Sequence, residues 1–215
     1  MTFCADSSSV ERSAHQSRDG GSIPTSALHF KAGSIRDFDS LVLRHYLGRR
    51  PSVVRFCAGA YAAGQLLGFI SFGEPPRETC KRYGGRVFEL SRLFLDDACG
   101  PNSETRFIGW AMREVRRLFP QVVGVVSYAD PSAGHKGTIY KASNFKSDGR
   151  TDDERKSPRC DYYGVTDGKK YSRRSHVLEG TQIERRPRVS KHRYFYRFSL
   201  PQPAQPVAQQ EAKTV

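Results

Sequence analysis

A run of apolar residues, Val122 to Val126, stops abruptly in a segment dense with hydroxyls, one carboxylate and one imidazole. Ser127, Tyr128, Asp130, His135, Lys136 and Tyr140 lie in that segment. A carboxylate or an imidazole can accept a proton or ligate a metal, and a tyrosine can donate a proton. Reactive groups gathered where a buried strand ends are what a catalytic site in an α/β fold needs. Pro131 forces extended backbone on Asp130. His135 and Lys136 lie between two glycines, and Tyr140 and Asn144 are four apart, on one face of a helix. Arg92 is a second point of interest, because a charge inside an apolar run is costly unless it is paired or used. Glu89 or Asp130 could pair with it; holding a phosphate or polarising a carbonyl is the functional alternative. His45 shares an apolar helical face with Phe38, Leu41 and Val42, where a histidine is either satisfied in the core or put to use. His45, Asp130 and His135 together would supply the two imidazoles and one carboxylate of a non-haem iron site. A turn aspartate and a surface histidine are the plainer readings.

The elements that must position these groups can be read from periodicity. Ser34 and Asp37 form a capping-box pattern, opening a helix that Gly48 can end. Strands are expected over Val53 to Tyr61 and Leu66 to Phe72, reversing near Ala63-Gly64. The stretch from Pro75 to Gly85 reads as a loop. Val87 to Leu95 reads as a strand in which strict alternation puts Glu89 and Arg92 on opposite faces, and a β-bulge would bring both to one side. Asn102 or Ser103 caps a helix whose apolar stripe is Phe107, Ala111, Val115 and Leu118, with Pro120 ending it. The free N–H groups at its start suit a phosphate, although any capped helix offers the same groups. Val122 to Tyr128 is a strand covered on both faces, giving a right-handed βαβ unit. Residues 146–192 read as a basic, loop-rich part of the domain, and His192 to Leu200 as a closing strand. Residues 1–25 and 201–215 read as disordered, leaving one domain over 26–200.

Composition narrows the partners. The chain has 215 residues, 35 Lys and Arg against 22 Asp and Glu, and a formal net charge of +13, a field that attracts polyanions. Basic residues interleave with tyrosine at Lys81-Arg82-Tyr83 and at Lys169-Lys170-Tyr171-Ser172-Arg173-Arg174, and cluster again along Arg185-Arg186-Pro187-Arg188. Such segments neutralise phosphates and stack on bases, or else are solvated loops. The five cysteines are scattered with no CxxC pair, which fits a reducing cytosol and argues against a zinc ribbon. No run is long enough for a membrane span, and Met1 to Gly21 lacks the apolar core of a signal peptide.

The strand, capped helix, buried strand and short tyrosine-bearing helix resemble the core of the GCN5-related acetyltransferase (GNAT) fold. In place of that superfamily's glycine-rich pyrophosphate loop stands Cys99-Gly-Pro-Asn-Ser-Glu-Thr105. A narrower resemblance lies in Glu89-Leu-Ser-Arg92, Ser103-Glu-Thr-Arg-Phe107, Ser127-Tyr-Ala-Asp-Pro131, Gly134-His135, Gly137-Thr-Ile-Tyr140 and Lys191-His-Arg-Tyr194, with His45-Tyr46 near the first helix. These blocks resemble the Mom DNA-modification proteins of Mu-like bacteriophages. The resemblance implies an α/β, GNAT-like mixed sheet with flanking helices. It implies an enzyme in the cytoplasm of an infected bacterium that adds a carbamoylmethyl group to the exocyclic amine of adenine in double-stranded DNA, defeating restriction. The family's functional residues fall on His45, Arg92, Asp130 and Tyr140, and the site reading adds Ser127. Arg92, Leu93, Phe94, Ser103, Thr105 and Asn144 are expected at the donor, acetyl-CoA or another activated acyl or glycyl compound. Iron, associated with the family, would fall to His45, Asp130 and His135. Lys81, Arg82, Lys169, Lys170, Arg173, Arg174, Arg185 and Arg186 are expected to grip DNA while the adenine is flipped out. The alternatives are a plain acyltransferase acting on a protein or small amine, and a non-catalytic DNA-binding protein that shields sites from restriction.

Overall fold

The computed structural model describes residues 22–157, 159–171 and 182–199. In chain order the strands are β1 (His29–Ala32), β2 (Phe56–Ala62), β3 (Gln65–Gly73), β4 (Arg86–Leu95), β5 (Val122–Ala129), β6 (Lys146–Arg150), β7 (Cys160–Gly164), β8 (Lys170–Tyr171), β9 (Ile183–Pro187) and β10 (His192–Arg197). The helices are α1 (Asp39–Val42), α2 (Arg77–Tyr83), α3 (Ser103–Leu118) and α4 (Thr138–Ala142). A seven-stranded sheet runs β1-β2-β3-β4-β5-β10-β6, and a three-stranded sheet runs β8-β7-β9. Within the larger sheet β4 and β5 are parallel, as a strand–helix–strand crossover requires, and the other neighbours are antiparallel.

Both faces of the large sheet are covered. On one, α3 presents Phe107, Ile108, Ala111, Met112 and Val115 to Phe72, Phe88, Leu90 and Val125. Burying each of the larger side chains contributes roughly 1.5–3 kcal/mol. Leu118, expected in this stripe, is 45% exposed because it is the last helical residue before the chain turns away. On the other face Phe38, Leu41 and Val42 pack on Cys57 and Phe69. Alternation along β2 explains the division, since Ala58 and Ala60 face the first cluster and Cys57 the second.

Two features of β4 matter for function. Its register against β3 shifts between Ser71↔Arg92 and Phe72↔Leu90, so Ser91 is an extra residue. The bulge turns Glu89 and Arg92 to the same side, as the alternative reading of this strand required. The parallel rungs between β4 and β5 end at Glu89↔Val126, while β4 continues beside β3 and β5 beside β10. The two central strands therefore part, and a wedge opens between them.

Several local expectations need correction. The capping box at Ser34 forms, with the Ser34 N–H donating to Asp37 Oδ2 at 2.7 Å. The helix it opens is short: a 3-10 turn over Ile35–Phe38, then α1. Leu47 N–H donates to His45 Nδ1 at 3.2 Å, not to a backbone carbonyl, and so leaves the helical ladder. The stretch read as a loop after Pro75 contains α2, with Pro76 at its N-cap, Glu78 in its first turn, Lys81 and Arg82 in its last, and Gly84 left-handed at φ 70°. Those signals suit both helix ends, but seven residues are too few to display an apolar period. The loop-rich part instead contains β6 at the edge of the large sheet and the whole three-stranded sheet. Residues 22–25, grouped with the leading disordered segment, are held in place. Ile23 bridges Cys99, and Gly100 N–H donates to Ile23 O at 2.8 Å. The rest of that segment, 1–21, and the tail 201–215 lie outside the described residues. No helix among the described residues is long and apolar enough to cross a membrane.

Candidate active site

A cavity of about 540 Å³ occupies the wedge between β4 and β5, a size ordinary for small-molecule sites. The diverging strands, the turn after α1, the loop from Gly134 to Gly137, α4 and Lys191 wall it. Gly137 is left-handed at φ 73°, and a side chain there would collide with the Tyr194 ring. Tyr194 in turn donates to Lys136 O at 2.8 Å, tying this loop to β10.

Ser127 and Tyr140 meet at the point of the wedge. Ser127 is fully buried, its hydroxyl 3.4 Å from Leu90 O and hydrogen-bonded with Tyr140. The Tyr140 ring packs against Phe145 and Tyr194. Burial pushes its phenol upward against the opposing pull of the Ser127 bond, so it stays protonated at neutral pH and can donate.

Arg92 also faces the cavity, with Leu93 and Phe94 beside it. Its Nη1 donates to Ser91 O at 2.6 Å, whereas its Nε is buried with no hydrogen-bond partner among the described residues. Neither Glu89 nor Asp130 is ion-paired with it, so the pairing considered from sequence does not form. Burial pulls its pKa down, a sign that the charge is held where solvent does not compensate it.

His45 lies 8% exposed in the cavity wall. Because its Nδ1 accepts from Leu47, the ring proton belongs on Nε2. Burial, with Arg92 and His135 adding repulsion, lowers its pKa to about 4, so the ring is neutral at physiological pH. Tyr46 stands between two histidines at the mouth, its ring centroid 4.5 Å from His45 and 5.1 Å from His135.

Asp130 follows β5 directly, as expected, but it is not among the residues lining the cavity. Its Oδ1 accepts the Ser132 N–H at 3.0 Å and the Ser132 hydroxyl, and its Oδ2 is 2.9 Å from Lys191 Nζ. Burial pushes its pKa up, but the Ser132 and Lys191 bonds outweigh this and hold the carboxyl below its ordinary range. The three-residue metal set is not assembled. Among the described residues no three His, Cys, Asp or Glu side chains gather to hold an ion. His45 has one nitrogen engaged, and Asp130 is spent on a turn and an ammonium.

A second groove, also about 540 Å³, runs between α3 and the end of α4, lined by Thr105, Arg106, Arg113 and Asn144 among others. Thr105 and Asn144 thus share a surface, but Asn144 lies beyond α4 in a left-handed conformation and does not extend the face of Tyr140. Ser103 must be withdrawn as a donor contact. It is fully buried, its hydroxyl 2.6 Å from Gly100 O and 3.0 Å from Thr25 Oγ1. Asn102, itself left-handed, makes no side-chain cap.

The basic residues are mostly engaged within the chain. Lys81 pairs with Glu78 at 2.9 Å, Arg82 with Asp148 at 3.1 Å and with Glu154, Lys170 with Asp161 at 2.7 Å, and Arg186 with Glu184 at 2.7 Å. Among the described residues, Arg185 reaches the Cys160 sulfur alone, at 4.0 Å. Lys169 is exposed beside them, and Arg173 and Arg174 lie outside the described residues. The structure also brings in groups to which the sequence reading gave no part in the chemistry. Glu89, Tyr46 and Lys191 all line the cavity. For Glu89 the signal was a second charge in the apolar strand, three residues before Arg92.

The sequence model of the Mom protein family matches residues 36–210. The chain is 32% identical over 108 residues to the protein named Methylcarbamoylase mom of Escherichia phage Mu, a match that covers 47% of this chain and 45% of that one. Among solved structures, the IAA acetyltransferase from Bacillus cereus ATCC 14579 superposes with a TM-score of 0.50 at 11% identity, over 80% of this chain and 99% of that one. A GNAT family acetyltransferase from Elizabethkingia anophelis, solved with acetyl-CoA bound, gives 0.49 at 8% identity, over 80% and 99%. The expected GNAT-like fold is the fold observed.

Proposed function

The chain belongs to the Mom protein family, and we propose that it is a transferase that modifies phage DNA inside the infected bacterium. Its target is the exocyclic amine of adenine and its product the carbamoylmethylated base, which restriction enzymes refuse. The observation that carries this reading is the wedge between β4 and β5, where a buried guanidinium nitrogen without a partner faces a tyrosine poised to donate a proton.

The residues fit an activated acyl or glycyl donor such as acetyl-CoA. Arg92 Nε would meet a carbonyl or anionic oxygen of it, Leu93 and Phe94 would line its path, and Thr105, Asn144 and the arginines of the second groove would meet its polar end. When bound, the donor would supply the electrophilic carbon and, for the carbamoylmethyl product, a leaving group on that same CH2 carbon, which acetyl-CoA does not carry. Attack at a thioester carbonyl yields an amide, so a carbamoylmethyl product requires reaction at a CH2 carbon. Tyr140 protonates the leaving group, with Ser127 holding its hydroxyl in place. His45, neutral and fixed by Leu47, packs the wall beside Arg92. No step is assigned to iron, because the residues present do not form its ligand set.

The amine of adenine is enclosed in the base pair, so the nucleotide must leave the stack to enter the cavity. The net charge of +13 favours capture of the duplex, and of the eight basic residues expected at DNA, Lys169 and Arg185 are the described ones without a carboxylate partner among the described residues. Lys81, Arg82, Lys170 and Arg186 must first give up their carboxylate partners.

Mass spectrometry of nucleosides from DNA co-expressed with this chain tests the reading. A mass gain on deoxyadenosine supports it. Unmodified DNA with an acylated protein or small amine would identify a plain acyltransferase, and protection from restriction without covalent change would identify a shielding protein.

A further inference from the structure

Two carboxyl groups stand near the wedge, and their surroundings are opposite. Asp130 has both oxygens occupied, one by Ser132 and the other by Lys191. Glu89 sits on the last rung that β4 shares with β5, turned into the cavity by the bulge at Ser91. Among the described residues its carboxylate has no hydrogen bond and no ion pair. Arg92 faces it from its own strand, Tyr128 from β5, Tyr140 from α4 and Lys191 from the turn before β10, while His45, Tyr46 and His135 stand in the same cavity.

We propose that Glu89 is the group that takes the proton from the attacking amine, and that Asp130 is a positioning residue that acts only through Lys191. The proposal rests on the reading of the wedge as a transfer site for an amine. The lone pair of adenine's exocyclic amine is delocalised into the ring, so the nitrogen is a poor nucleophile until an N–H bond weakens. The co-substrate this step needs is an activated glycinamide-type donor, X–CH2–C(=O)NH2, with its leaving group X on the CH2 carbon. As the N–CH2 bond forms, the CH2–X bond breaks and X departs with the electron pair. The nitrogen gains positive charge, and its proton passes to the Glu89 carboxylate. The leaving group takes the Tyr140 proton; Glu89 then releases one proton to solvent and Tyr140 recovers one, so nothing is oxidised or reduced. Asp130 could accept that proton only by losing its pair with Lys191. Burial raises Glu89 above the ordinary carboxylate range, with Arg92 and Lys191 opposing, which makes it the stronger base of the two.

The test compares wild type, Glu89→Gln, Asp130→Asn, Lys191→Met and the Asp130→Asn/Lys191→Met double variant. Adenine modification is followed by mass spectrometry across pH, and carboxyl titration is followed by NMR of protein labelled in its glutamate and aspartate carboxyls. Glu89→Gln should lose roughly 100-fold or more in kcat, with donor and DNA affinity unchanged and the acidic limb of the pH profile gone. Asp130→Asn and Lys191→Met should keep that limb, lose activity equally, and lose no more when combined. A glutamate titrating above the ordinary range should be present in every protein except Glu89→Gln. The proposal is overturned if Glu89→Gln keeps more than about a tenth of wild-type kcat, if the limb disappears with Asp130 instead, or if no such glutamate titrates. The two readings fail separately. Wild type that leaves DNA unmodified while that glutamate is seen overturns the DNA reading alone, and wild type that modifies DNA with Glu89→Gln fully active overturns this one alone.

Discussion

The wedge in the large sheet and the three-stranded sheet beside it handle charge in opposite ways. In the wedge, Arg92 Nε has no partner and the Glu89 carboxylate has neither a hydrogen bond nor an ion pair among the described residues. In the smaller sheet Asp161 takes both Lys170 and Arg188, Glu184 takes Arg186, and the Tyr163 ring lies under the cations of Lys170 and Arg186. The Glu184–Arg186 pair is exposed and contributes little to stability, since solvent screens it, whereas Asp161 is buried and its charge is compensated by its two cations. An unpaired buried charge is costly and persists where something else compensates it. The comparison separates a region whose charges are left without partners among the described residues from one whose charges already compensate one another within the chain.

The comparison breaks most readily at Tyr140. Tyr140→Phe should reduce the rate of modification about 100-fold or more with DNA affinity unchanged, as single-turnover kinetics and a filter-binding assay would record; a normal rate would remove the proton donor from the wedge. Arg92→Met should weaken catalysis by tens- to about 100-fold, and a titration with donor should show the loss mostly in donor binding.

His45 gives a pH signature that the smaller sheet lacks. Its folded-state pKa of about 4 lies below the ordinary 6.5, so the folded state resists a proton that the unfolded state accepts. The associated stability is complete above about 6.5 and is lost as pH falls towards about 4. Denaturant unfolding of wild type and His45→Gln at pH 7 and pH 5 should show the larger drop in wild type, and equal drops would place the imidazole in solvent.

In the smaller sheet, Lys169→Ala and Arg185→Ala should each weaken DNA binding a few-fold, lower the salt slope by about one, and spare kcat. The smallest effect is expected from Glu184→Gln. Releasing Arg186 should tighten DNA binding slightly at low salt, and weaker binding would mean that the Glu184 pair itself orders the DNA-facing surface.

Much of the framework was legible because its signals are local and periodic. The α3 stripe, the apolar β5, the turn at Ala63-Gly64 and the aromatic-basic β10 all form close to where their patterns stand. Arg92 stood out because a guanidinium in an apolar strand demands an explanation, and its neighbours supplied the bulge that turns Glu89 to the same side. The α2 helix and the small sheet were missed because their elements are too short and polar to show a period. Asp130 was read as reactive because its place after a strand invites chemistry. The serine and lysine that occupy it lie two residues on and in the turn before β10, and no spacing rule links the second to it.

The amino-acid sequence by itself determined the order of the main elements, the basic character of the chain and the kinship of its motif blocks, since each depends on residues near one another in the chain. Only the tertiary structure decided which charges are spent and which are left for use. Asp130 is neutralised by Lys191 from far along the chain, Ser103 is consumed by Gly100 and Thr25, and Glu89 stays without a partner among the described residues where β4 and β5 separate. Whether a side chain has a partner depends on what the whole chain brings within about three ångströms of it, which no local pattern encodes.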